Sequence, residues 1–257
     1  PRGELLLFFP GTGATAGDYT RFLTHATASG FHVVGLSYDN RVSVNFDVCR
    51  EVPTEEPCHG DARLEVLRGD PSPYTPPETD TDNAAYPRLQ GLLQWLATDR
   101  PDQGWTAFLD EDDPDGIRFA AVTTAGHSQG GGHAAFTARL HEVARAILFD
   151  ATEAAEWTTE PIATPPDRLF GVAHTDEFGA LAMQRSWDQL GMPVGDTVLD
   201  DPLPATWTSH RYVIFRDDCT GTGNARLHNC AVVDDFLPPD GPDGPLFAPL
   251  WDALLGN

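Results

Sequence analysis

Residues 117–142 read IRFAAVTTAGHSQGGGHAAFTARLHE, and this stretch decides the fold. Its apolar first half is typical of a buried strand that ends near Gly126, and its alanine-rich second half is typical of a helix. Ser128 stands between the two, in the segment Gly-His-Ser-Gln-Gly. A Gly-x-Ser-x-Gly segment between a strand and a helix is the pattern of a nucleophile elbow, a strained turn that exposes the serine hydroxyl. An ordinary glycine-rich turn is the alternative interpretation.

Strand-like and helix-like patterns alternate along most of the 257 residues. This alternation predicts an α/β fold with a mainly parallel central sheet and helices on both faces. The length fits a single domain over residues 1–257. Residues 39–81 are the exception, because they hold many prolines and a polar tract. We expect this segment to be irregular, either as an insertion at the rim of an active site or as a lid.

A serine hydroxyl is a weak nucleophile at neutral pH, so Ser128 needs a histidine base and a carboxylate that orients the base. After a nucleophile elbow the acid and then the histidine follow along the chain, each beyond a later strand. His228 lies beyond the last predicted strand, Arg211–Phe215, and is the candidate base. His210 is the alternative, but it opens that strand.

The acid has three candidates. Asp176 follows the predicted strand Arg168–Ala173 and occupies the usual position for the acid, so it is the first choice. Glu177 stands beside it. Asp150 ends the strand after the elbow helix and is the second choice, ahead of Glu177.

An oxyanion intermediate needs backbone N–H donors. The amide of Gln129, directly after the serine, is one candidate, since it opens the elbow helix. The amide of Thr12, in the glycine turn after the first strand, is the other. Trp157 and Phe178 are candidates for the wall of an acyl pocket, with core packing as the alternative for each.

The four cysteines fall into two local pairs, Cys49 with Cys58 and Cys219 with Cys230. Four cysteines allow three connectivities, of which this short-range pairing is the one we expect. A zinc site is the competing interpretation, but the spacing lacks a Cys-x-x-Cys element. Disulfides indicate an oxidising compartment, so the protein is expected to be secreted or periplasmic.

The charge is strongly one-sided. The chain has 39 acidic residues and 16 basic ones, for a net charge of −23, and every basic residue is arginine. Such a surface repels nucleic acid and anionic membranes, so neither is an expected partner. No run of about 20 apolar residues occurs, so we expect no membrane span.

Taken together, Ser128 in GHSQG, the turn PGTG at 10–13, Asp176 and His228 resemble the α/β-hydrolase superfamily. The chain is also similar to secreted bacterial serine esterases of the lipase and cutinase type, which share PGTG, GHSQGG and a late histidine followed by Val-Val-Asp, here 232–234. The resemblance implies hydrolysis of short or medium acyl esters or of polyesters through an acyl-enzyme. It implies no metal or organic cofactor, and we expect a monomer. An acyltransferase and a serine peptidase are alternatives that use the same triad.

We expect the melting temperature to rise between low and molar NaCl, because salt screens the repulsion among the surface carboxylates. The alternative explanation of the composition is a GC-rich genome, which predicts no such rise. Thermal unfolding followed by circular dichroism at increasing NaCl measures the difference. A melting temperature that stays constant or falls would contradict adaptation to high salt.

Overall fold

The computed structural model describes residues 1–53, 55–74, 79–151, 155–200, 203–223, 225–242 and 244–257. Seven strands in this part of the chain form one sheet: β1 (Leu5–Phe9), β2 (His32–Gly35), β3 (Val122–His127), β4 (Arg145–Phe149), β5 (Leu169–His174), β6 (Asp196–Leu199) and β7 (Arg211–Ile214). Their order is β2-β1-β3-β4-β5-β7-β6, and every pair is parallel. The predicted α/β fold with a parallel central sheet is therefore confirmed.

Helices cover both faces of the sheet. They are α1 (Thr20–Ala28), α2 (Cys58–Arg68), α3 (Ala85–Asp99), α4 (Gln129–Leu140), α5 (Ala180–Gln189), α6 (Ala225–Asn229) and α7 (Ala248–Leu255). Strand β1 shows why two layers are needed, since all five of its residues are buried and successive side chains point to opposite faces. Leu5 and Leu7 join the core beneath α3 and α4, whereas Leu6 and Phe8 join the core beneath α1 and α7.

The edge strand β6 was not predicted from the sequence. Its four residues, Asp-Thr-Val-Leu, pair with β7 alone, and Leu199 is the one buried residue among them. An edge strand with one buried side chain carries little hydrophobic signal. The elbow strand also begins later than the apolar run suggests, because residues 119–121 form a 3-10 turn before Val122.

The expectation that residues 39–81 are irregular was wrong in part. A π-helical turn covers Val44–Val48, and the helix α2 covers Cys58–Arg68. The apolar periodicity of α2 is broken because Arg63 and Glu65 are buried along with its apolar residues. Thr54 and residues 75–78 of this segment lie outside the described residues.

Both predicted disulfides are confirmed: Cys49 is bonded to Cys58, and Cys219 is bonded to Cys230. The first holds the π-helical turn against the start of α2. The second encloses α6. None of the helices in the described ranges combines the length and apolar character that a membrane span requires.

Ser128 occupies the turn between β3 and α4 with φ 54° and ψ −123°. A Cβ atom on Gly126 would overlap the backbone of Gly130, and one on Gly130 would overlap the carbonyl of Phe9. Strand, turn and helix therefore approach so closely that only glycine fits at both positions. This is the geometry that the Gly-x-Ser-x-Gly pattern predicts.

We expect Gly126→Ala to lower the free energy of unfolding by about 3 kcal/mol or more, because its Cβ would meet backbone that cannot move aside. Gly91→Ala is the matched control. Gly91 lies inside α3, and a Cβ there would meet no atom within 4 Å, so alanine should stabilise the helix by about 0.5–1 kcal/mol. Urea unfolding of both variants measures the difference. Equal effects at the two sites would contradict the close approach at the elbow.

Candidate active site

A cavity of about 1070 Å³ opens at the carboxyl edge of the sheet. Parallel strands all end at this edge, so the segments that follow β1, β3, β4 and β5 meet there. Six residues singled out by the sequence line the cavity: Thr12, Ser128, Gln129, Asp150, Phe178 and His228. Residues more than 200 positions apart in the chain thus share one site.

The backbone of Ser128 is held on both sides. Its amide donates to the carbonyl of Phe149 at 2.9 Å, and its carbonyl accepts from the amide of Gly132 at 3.2 Å. The side chain is partly exposed toward the cavity, and its hydroxyl makes no hydrogen bond within the described ranges. The hydroxyl is therefore presented to whatever molecule enters the cavity.

His228 is oriented by Glu177 and not by Asp176. Nδ1 of His228 lies 2.5 Å from Oε2 of Glu177, whose side chain is fully buried. Asp176 is exposed, so the expectation that its carboxylate orients the histidine is corrected. The amide of Asp176 donates to Nδ1 of His174 at 3.1 Å, which fixes the turn so that the next side chain points inward.

The contact with Glu177 occupies Nδ1 of His228, which lines the cavity, and Nε2 makes no hydrogen bond within the described ranges. The sequence places His228 in a loop, whereas the structure places it in the short helix α6. The disulfide Cys219–Cys230 closes this segment, and both Leu227 and Cys230 are buried. The histidine is thus held by a covalent link, by packing and by a buried carboxylate.

A hydrogen-bonded chain connects three segments of the site. The amide of Gly11 donates to the hydroxyl of Tyr19 at 2.9 Å, and that hydroxyl lies 3.0 Å from Nδ1 of His127. Nε2 of His127 lies 2.9 Å from the carbonyl of His228. Because a carbonyl can only accept, Nε2 carries the proton of His127 and Nδ1 accepts from Tyr19.

His127 is fully enclosed, and burial lowers its pKa to about 3, with a further contribution from the neighbouring His228. The ring therefore remains neutral at neutral pH and serves as a fixed connector. Its role was not predicted from the sequence, where His127 is one of the two variable positions of the elbow motif. The connection becomes visible only when the loop after β1 and the segment with His228 are placed beside it.

The two predicted oxyanion donors lie together at the cavity. The amides of Gly11 and Gly13 donate to other protein groups, whereas the amide of Thr12 has no acceptor among the residues that the structure describes. Gln129 is the first residue of α4, where amides lack partners within the helix. The hydroxyl of Thr12 donates to Oε1 of Gln129 at 3.3 Å, which links the two donors.

The two predicted pocket aromatics have different places. Phe178 lines the cavity, is 66% exposed, and lies 5.4 Å from the ring of His228 between centroids. Trp157 is only 1% exposed and packs edge-on against Phe136, so its predicted role in the pocket is corrected to core packing. Phe46, which was not predicted, lines the cavity and lies 5.9 Å from Phe178.

Within the described ranges, two clusters of carboxylates and histidine have ligand atoms close enough together to hold a metal ion. In the first, Asp115 and His141 already contact the guanidinium of Arg68, at 2.7 Å and 3.2 Å, so a cation would have to displace an arginine. The second consists of Asp150, Glu177 and His228 and belongs to the cavity described above.

Comparison with protein-family models and with curated proteins yields no match for this chain. The described residues define its class: an α/β protein with one parallel sheet and a cavity at the carboxyl edge of that sheet. Its function has to be inferred from the chemistry of that cavity.

Tyr19→Phe should lower the free energy of unfolding by about 2 kcal/mol, because it leaves the amide of Gly11 and Nδ1 of His127 buried without a partner. Tyr74→Phe is the matched control, since the hydroxyl of Tyr74 donates to Glu56 at the exposed surface. Its effect should stay within about 0.5 kcal/mol. Urea unfolding of both variants provides the comparison, and a loss at Tyr74 as large as at Tyr19 would contradict the connecting role.

Proposed function

We propose that this protein is a serine carboxylester hydrolase of the α/β-hydrolase superfamily, with Ser128 as nucleophile, His228 as base and Glu177 as acid. The observation that carries the proposal is the convergence of two groups on one cavity. One is the hydroxyl of a serine on a strained strand-to-helix turn, and the other is a histidine whose Nδ1 is bound to a buried carboxylate. The combination is that of a nucleophile with an oriented base.

Acylation begins when Oγ of Ser128 attacks the carbonyl carbon of the ester and its proton passes to Nε2 of His228. The hydrogen bond between these two groups often forms only when a substrate is bound. Glu177 stabilises the resulting imidazolium. The amides of Thr12 and Gln129 donate to the oxyanion of the tetrahedral intermediate. The intermediate collapses, the C–O bond breaks, and the alcohol leaves with the proton from Nε2.

Deacylation repeats these steps with water as the nucleophile. Nε2 of His228 takes a proton from water, the hydroxide adds to the acyl carbon, and the second intermediate releases the carboxylic acid. The serine hydroxyl regains its proton from the imidazolium.

The open mouth of the cavity, with Phe46 and Phe178 exposed beside His228, favours short or medium acyl esters or the chains of a polyester as substrates. The two disulfides favour a secreted or periplasmic protein, because such bonds persist in oxidising compartments. The net charge of −23 supports a protein that acts without nucleic acid.

Ser128→Ala should reduce turnover of p-nitrophenyl esters by about 10⁴-fold or more and abolish labelling by a fluorophosphonate. Glu177→Gln should lower kcat by about 10³–10⁴-fold, because the neutral amide can hold the wrong tautomer of His228. Asp176→Asn is the matched control at the neighbouring, exposed position and should retain nearly full activity.

A large loss of activity in Asp176→Asn with activity retained in Glu177→Gln would contradict the assignment of the acid.

Product analysis with and without added alcohols separates hydrolysis from acyl transfer, and turnover of amide substrates would favour a peptidase. Absence of both labelling and turnover in the native protein would contradict the proposal as a whole.

A further inference from the structure

Asp150 is a buried carboxyl group for which the mechanism above has no role. It follows β4, is 1% exposed and lines the cavity. Its amide donates to the carbonyl of Val172 at 2.7 Å. Its φ is 47°, and among the described non-glycine residues only Ser128 shares a positive φ. Strained backbone of this kind persists where surrounding contacts enforce it, and it is concentrated at functional sites.

Two buried carboxyl oxygens at this place lack a hydrogen-bond partner within the described part of the chain: Oδ2 of Asp150 and Oε1 of Glu177. The other oxygen of each group is used, since Oδ1 of Asp150 accepts from the amide of His174 at 3.3 Å and Oε2 of Glu177 contacts His228. One oxygen from each carboxyl group and one nitrogen of His228 lie within 4.8 Å of one another. Two carboxylates this close in a buried site repel each other, so the charged form of one of them is disfavoured.

We propose that Asp150 is a positioning residue that retains its proton and donates a hydrogen bond to Glu177, thereby fixing the carboxylate that orients His228. This inference rests on the proposed function and deepens it. The division of roles follows from the contacts, because Glu177 is the group bound to the histidine and therefore the one that must be ionised. A buried carboxylate also needs a donor, and a protonated Asp150 supplies one.

The surroundings of Asp150 agree with this assignment. Burial raises its pKa well above the ordinary value, and the charge of Glu177 raises it further, while the hydrogen bond from the amide of His174 opposes the rise. The titratable rings of His228, His127, His59 and Tyr19 line the cavity, and the amide of His174 donates to Asp150. His174 accepts at Nδ1 from the amide of Asp176 and lies with Nε2 2.9 Å from the carbonyl of Arg216, so its hydrogen bonds fix one tautomer.

Asp150→Asn and Asp150→Leu test the role through catalysis. The amide of asparagine can still donate to Glu177, so kcat for a p-nitrophenyl ester should stay within about 5-fold of the native value. Leucine removes the donor and should lower kcat by about 10–100-fold with little change in KM. A loss from Asp150→Asn as large as that from Glu177→Gln would show that Asp150 acts as a carboxylate, and native activity in both variants would show that it positions nothing. Either result overturns the inference.

A second measurement does not depend on activity and covers the case in which the leucine variant fails to fold. A carboxyl group whose pKa is higher in the folded state than in the unfolded state binds a proton on folding, so its contribution to stability falls as the pH rises above the unfolded pKa. Asparagine does not titrate. The free energy of unfolding of Asp150→Asn, relative to the native protein, should therefore rise between about pH 4 and pH 8.

Urea unfolding of the native protein and of Asp150→Asn across this pH range measures the change in relative stability. Asp112→Asn, at an exposed position, is the matched control, and its relative stability should not change with pH. A flat or opposite trend for Asp150→Asn would overturn the inference. The two proposals fail separately. If the native protein is inactive but Asp150→Asn gains relative stability with pH, the protonated state of Asp150 is supported and the enzymatic function fails. If the protein is active but the trend is absent, only the role of Asp150 fails.

Discussion

The backbone at Ser128 adopts φ 54°, a conformation that a residue with a side chain rarely takes, and the arrangement of the cavity depends on holding it there. Strain of this kind costs about 1–3 kcal/mol. It is offset by the parallel pairing of β3 with β1 and β4 on either side, and by the hydrogen bond from Ser128 to Phe149. Gly126 and Gly130 let the strand and the helix come close enough for these contacts to form together. The buried, fully paired strand β3 thus holds the one unfavourable turn in place.

The same turn organises its neighbours. His127, directly before the serine, joins the loop after β1 through Tyr19 and the segment of His228 through that residue's carbonyl. The segments that carry the groups proposed to bind the oxyanion, to attack and to accept the proton are therefore connected by hydrogen bonds. A neutral ring at His127 suits this role, because its two nitrogens offer one donor and one acceptor in fixed directions.

Local patterns in the sequence were sufficient to predict the elbow, the parallel α/β class and the disulfide pairing, because each depends on neighbours in the chain or on a repeating period. The choice between Asp176 and Glu177 was beyond such reasoning, since it depends on which of two adjacent side chains a turn directs inward. The helix α2 was missed because its buried face includes Arg63 and Glu65, which resemble surface residues in a sequence. Trp157 was predicted to line the pocket because it is a large aromatic residue near the site in the sequence, but it is buried in the core.

The sheet and the mouth of the cavity are stabilised by different means. Buried side chains on both faces hold the sheet. The segment that carries His228 is closed by the disulfide Cys219–Cys230, and Cys49, just after the turn that carries Phe46, is bonded to the start of α2 at Cys58. All four cysteines are buried, so a thiol can reach either bond only after the segment around it opens. The position of His228 is also coupled to the packing of the sheet, because Cys219, Leu227 and Cys230 belong to the same buried cluster as side chains of β4, β5 and β7.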